Sequence, residues 1–93
     1  MNIEEIKNKT APVLKSHDVR HAGIFGSFAR GEGAKESDLD ILVELEGKKT
    51  LFDLVSLKME LEKVTQREVD VVEYCTIHPR LKERILKEQV VVI

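Results

Sequence analysis

Apolar and polar positions alternate along this chain in two rhythms, one suited to helices and one to strands. Across residues 2–17 the apolar side chains Ile3, Ile6, Val13 and Leu14 approximate a helical stripe, with Pro12 as a kink position. Val19–Phe25 is short, apolar-rich and stopped by Gly26, which predicts a strand, and Ser27 to Arg30 then predict a short helix. From Asp38 the chain alternates again: Leu39, Ile41 and Val43 fall on one face and Asp38, Asp40 and Leu42 on the other. Thr50 followed by Asp53 predicts a capping box. It starts a second helix whose residues Leu51, Leu54, Val55, Leu61 and Val64 are expected in the core. Residues 67–74 read as a third strand. Pro79 suits the first turn of a last helix facing inward through Leu81, Ile85 and Leu86, and residues 90–93 read as a closing strand. Neither repeat nor linker interrupts this order, so residues 1–93 are expected to form a single domain.

Composition narrows the function. Lys and Arg number 15 against 17 Asp and Glu, a net charge of -2, so the chain lacks the basic excess that holds a polyanion by charge alone. Direct nucleic-acid binding is not expected. The apolar runs fall short of a membrane span and the first residues lack the apolar core of a signal peptide, so no membrane contact and a cytoplasmic location are expected. Cys75 has no disulfide partner, and with His17, His21 and His78 scattered it offers no zinc spacing. It is expected as a small buried hydrophobe. His21 reads as a packed or hydrogen-bonded histidine, His78 as a helix cap beside Pro79, and Tyr74 as structural.

The chemistry lies in the alternation. Side chains at i and i+2 of a strand share a face, so Asp38 and Asp40 project side by side. Adjacent carboxylates repel, which raises the pKa of one of them unless a divalent cation keeps both ionised. Magnesium prefers such oxygen ligands together with substrate phosphates. Asp70 adds a third carboxylate if the third strand lies beside the second, and three on one surface suit two cations and displacement at phosphorus. Gly26 lets a ligand approach the backbone, Ser27 offers a hydroxyl and free amides to phosphate oxygens, and Arg30 adds charge one turn on. The stretch lacks the Gly-x-Ser-x-Gly elbow of a serine hydrolase.

The run GSFARGEGAKESDLDILV followed by VDVVE resembles the minimal nucleotidyltransferases of the DNA polymerase beta superfamily. Their pattern is matched by Gly26, Ser27, Arg30, Gly31, Ser37, Asp38, Asp40 and Asp70, and it departs mildly at Phe28, where many relatives carry Arg. The resemblance spans nearly the whole chain. It implies an α+β nucleotidyltransferase fold, a small mixed β-sheet flanked by helices. It also implies a nucleotide site at Gly26, Ser27, Arg30 and Ser37, and two magnesium or manganese ions at Asp38, Asp40 and Asp70. The implied reaction moves AMP from ATP to a hydroxyl. Since the chain has no room for an acceptor-binding domain, the acceptor is expected on a partner, and the family resemblance points to a tyrosine of a HEPN-type toxin neutralised as in toxin-antitoxin pairs, in a complex of the two proteins. The alternative is a non-catalytic module that neutralises its partner by occlusion.

Overall fold

The computed structural model describes residues 2–26, 28, 29, 31 and 38–93. Ser27, Arg30 and Ser37 lie outside the described residues. Helix α1 (Ile3–Ser16) leads into strand β1 (Val19–Phe25), and β2 (Leu39–Leu45), helix α2 (Leu51–Thr65) and β3 (Val69–Glu73) follow. A single 3-10 turn (Tyr74–Thr76), helix α3 (Pro79–Glu88) and the short β4 (Val90–Val91) complete the chain.

The sheet runs β3-β2-β1-β4 and is mixed: β1 pairs antiparallel with β2 and β4, whereas β2 pairs in parallel with β3. Parallel neighbours need a crossover, and the fifteen residues of α2 provide it. Each helix start follows from a side chain that satisfies a free amide. Asn2 Oδ1 accepts from the Glu5 amide at 2.9 Å, and His78 Nδ1 accepts from that of Arg80 at 3.1 Å. At α2 the expected box forms: the Asp53 amide donates to Thr50 Oγ1 at 3.3 Å and the Thr50 amide to Asp53 Oδ2 at 2.7 Å.

Helices α1 and α2 pack together over one face of the sheet. Ile6 and Leu14 from α1, Leu57 and Leu61 from α2, and Ile24, Leu39, Ile41, Val43 and Val69 from the strands form the core. Two threonines sit in it without an unpaired hydroxyl, because Thr10 donates to the Ile6 carbonyl and Thr65 to that of Leu61, each at 2.7 Å.

Several expectations change. Leu51 and Val55 lie on the solvent side of α2, with Leu51 75% exposed; Leu57 takes the inner position instead. Helix α3 buries no residue, and Leu81 and Leu86 are exposed while Ile85 is half-buried. Cys75 is exposed in the 3-10 turn, where its Sγ donates to Glu73 Oε2 at 3.6 Å, and His21 is exposed on an outward position of β1. Among the described residues no helix is long and apolar enough to cross a membrane.

Candidate active site

The outward face of the sheet, opposite α1 and α2, carries the acidic residues. Alternation along β2 sends Leu39, Ile41 and Val43 into the core and Asp40, Leu42 and Glu44 the other way. The registers then determine what stands beside Asp40: Asp70 on β3 and Phe25 on β1. Asp40 and Asp70, thirty positions apart in sequence, are thus direct cross-strand neighbours. Asp38 stands one position before β2, exposed, where the Leu39 amide donates to the Glu68 carbonyl at 2.9 Å and continues the ladder past the strand end.

Gly26 follows β1 directly and has a φ of 75°. That left-handed conformation favours glycine. A second constraint is local: a Cβ at this position would collide with the carboxylate of Asp40. The backbone of the turn therefore lies against the acidic pair, which places a glycine amide and a carboxylate around one small space. Beyond it, the Gly31 amide donates to the Phe28 carbonyl at 3.2 Å, and positions 26, 28, 29 and 31 are in turn conformation; the short helix expected from Ser27 to Arg30 falls on residues that lie in part outside the described ones.

Phe28 packs against the core and carries the guanidinium of Arg67 4.6 Å above its ring. Arg67 was not legible as a site residue, since it reads as an ordinary charge before a strand. The signal was the aromatic residue at position 28, which offers a seat for a cation from the neighbouring strand. The departure from the family pattern at Phe28 thus comes with the guanidinium of Arg67 over its ring.

The donor set of Asp38, Asp40 and Asp70 is all oxygen, the chemistry magnesium or manganese prefers. Asp40 and Asp70 are in register and fit a shared cation. Among the described residues no three His, Cys, Asp or Glu side chains converge as a metal site.

Comparison with known proteins agrees with this architecture. Residues 8–93 match the family described as Polymerase beta, Nucleotidyltransferase. The chain is 57% identical over 93 residues, all of both chains, to a candidate protein adenylyltransferase of Methanocaldococcus jannaschii. It superposes with a TM-score of 0.85 and 36% identity on the solved structure of a candidate minimal nucleotidyltransferase, covering 97% of this chain and 95% of that one. A similar fold, with a TM-score of 0.75 at 17% identity and coverage of 97% and 71%, occurs in a solved complex of a tri-AMPylated Shewanella oneidensis HEPN toxin with an MNT antitoxin. With the family matched across nearly the whole chain and the acidic pair placed beside a glycine turn, this protein belongs to the polymerase beta nucleotidyltransferases.

Proposed function

We propose that this protein transfers AMP from ATP to a hydroxyl, a tyrosine by preference, of a HEPN-type partner toxin and so acts as its antitoxin. The observation that carries this reading is the cross-strand pair Asp40 and Asp70, with Gly26 against Asp40. The relatives supply the acceptor class: one is a candidate protein adenylyltransferase, and the fold recurs in a complex with an AMPylated toxin.

In the proposed reaction the acceptor oxygen attacks the α-phosphorus of ATP. A new P–O bond forms, the bond from the α-phosphorus to the bridging oxygen breaks, and pyrophosphate leaves with its electron pair. Asp70, the one of the three carboxylates that comes from β3, is assigned the proton of the attacking hydroxyl. Gly26 and Ser27, with Arg30 and Ser37, are assigned to the triphosphate, the glycine by bringing the backbone of the turn against Asp40 and the others by donors and charge. Asp38, Asp40 and Asp70 would hold magnesium, which would supply charge neutralisation at the phosphates. The whole activity is assigned to one domain of residues 1–93.

The test is mass spectrometry of the partner after incubation with ATP and magnesium. Wild type adds about 329 Da per transfer, AMP less water, in the phosphoryl chemistry argued above. Asp70→Asn is expected to keep docking and lose about 10² to 10⁴-fold in rate, the worth of a general base. A second reading, occlusion without chemistry, draws on the exposed apolar positions Phe52, Val55 and Met59 of α2. It stands if wild type leaves the partner unmodified and both proteins inhibit it equally.

A further inference from the structure

The end of the sheet that carries the acidic pair has a second tie besides the strand ladder. In the ladder Phe25, Asp40 and Asp70 stand side by side on β1, β2 and β3. Phe28 lies three positions after Phe25 and Arg67 three before Asp70, and the Arg67 guanidinium sits 4.6 Å from the centre of the Phe28 ring. Strands two apart in a sheet are separated by about 9.5 Å, so this contact spans the width of β2 at its starting end, where Asp38 stands. Gly26, Asp38 and Asp40 thus belong to a closed circuit of contacts, ladder on one side and stack on the other.

We propose that Arg67 is a positioning residue: by stacking on Phe28 it holds the Gly26 turn in place relative to β3 and keeps the turn in the shape that receives phosphate. The proposal rests on the nucleotidyltransferase reading of the acidic site. A clamp needs a rigid base, and Arg67 has one. It stands on the short link from α2 to β3, residues 66–68, and Glu62 fastens that link at both ends. The Glu62 carbonyl accepts from the Gln66 amide at 2.7 Å, and its carboxylate accepts from the Val69 amide at 3.2 Å. Between them the Glu68 carbonyl accepts from the Leu39 amide at 2.9 Å, which ties the link to β2 as well.

The turn is the part that needs holding. Gly26 and Gly31, with φ of 75° and 73°, permit its shape, but glycines also leave a chain many other shapes to visit. A ring fixed between them removes that freedom: Phe28 packs against the core and is covered by the guanidinium. The ring lies toward the core, whereas Asp40 projects from the opposite face of the sheet, so the stack backs the site and does not occupy it. A turn already held in its binding shape loses less entropy when a ligand arrives, and affinity rises by that amount. The gain cannot exceed what the stack itself contributes, roughly a two- to thirtyfold factor for a cation over an aromatic face.

The experiment is calorimetric titration of the full chain with ATP in magnesium, on wild type, Arg67→Met, Phe28→Leu, their double variant and Phe28→Tyr. Arg67→Met keeps a long apolar stem and loses the cation; Phe28→Leu keeps an apolar side chain against the core and loses the ring. Each should weaken ATP binding about five- to tenfold, and the double variant no further than either alone. Phe28→Tyr retains the ring face and should stay within about twofold of wild type. Circular dichroism checks that each variant folds, and Arg67→Met, altered outside the core cluster, decides alone if Phe28→Leu does not. Unchanged ATP affinity in folded Arg67→Met overturns the proposal and leaves the stack as packing. Losses that multiply in the double variant also overturn it, because Arg67 then acts on the nucleotide without Phe28; so does a loss above about a hundredfold in Arg67→Met, more than the stack can supply. If wild type binds no ATP, the nucleotidyltransferase reading falls, and this proposal with it.

Discussion

Gly26 is under two constraints that can be separated by experiment. Its φ of 75° penalises any side chain, and the Asp40 carboxylate occupies the space a Cβ would need. Gly47 has a nearly identical φ of 72° with nothing within 4 Å of a Cβ. The two positions thus form a matched pair. Gly26→Ala and Gly47→Ala should each cost about 1 to 2 kcal/mol in urea unfolding, the strain of a left-handed alanine. Only Gly26→Ala should also displace a carboxylate, and its transfer rate should fall about 10²-fold, the usual penalty for misplacing a catalytic group by an ångström. Equal activity in the two variants would mean that the turn and Asp40 are not coupled. The glycine itself was legible in the sequence as a place where a ligand meets the backbone. Its contact with Asp40 was not, because that contact depends on the β1–β2 register, which is a property of two distant segments.

Among the elements, α2 joins the strands of the acidic pair, and its start is the best defined. Thr50→Ala removes the cap and should cost about 1 kcal/mol in thermal or urea unfolding. Asp53 reports on the same cap through pH. The hydrogen bond from the Thr50 amide, then that from the Thr50 hydroxyl, hold its pKa below the ordinary value of 3.8. A lowered folded-state pKa means that the carboxylate stabilises the fold fully above 3.8 and that this contribution is lost as pH falls from there through the folded pKa. Asp53→Asn should therefore flatten the acid limb of a stability curve below that pH, in small amplitude because the group is exposed. The cap was readable from Thr50 and Asp53 because it is a local matter of three residues. The buried face was not: Leu51, Phe52, Leu54, Val55, Leu57, Met59, Leu61 and Val64 nearly encircle the helix. Contact with α1 and β3 chooses Leu57, Leu61 and Thr65, and no rhythm within α2 could have done so. Helix α3 shows the converse, a clear amphipathic pattern without a buried residue.

At the scale of the whole molecule, the two sides of the sheet are unequally covered. One side carries α1, α2 and the core; the other carries the acidic pair and the lightly held α3. Amides in α3 should exchange with deuterium well before those of α1 and of the second half of α2, since few apolar contacts must break to open them. Sequence reading reached the fold class because the alternation of periods and the family motif both span the chain. It reached the shared face of Asp40 and Asp70 through parity alone. It missed the exposed Cys75 and His21 because burial of a lone residue depends on which elements cover it, and a one-turn segment such as the one carrying Cys75 has no face of its own.

The parallel pairing of β2 with β3 has a consequence for the order of events in folding. Asp40 and Asp70 cannot meet until the whole crossover between them is in place, and such non-local pairings form late because loop closure must come first. The antiparallel pairing of β1 and β2 closes a shorter connection, residues 26–38. During synthesis the Gly26 turn and Asp40 can assemble while β3 is still inside the ribosome, but a complete acidic pair must wait for residues 69–73 to emerge. On the reaction proposed above, nascent chains are expected to gain transfer activity only once β3 has emerged and paired with β2.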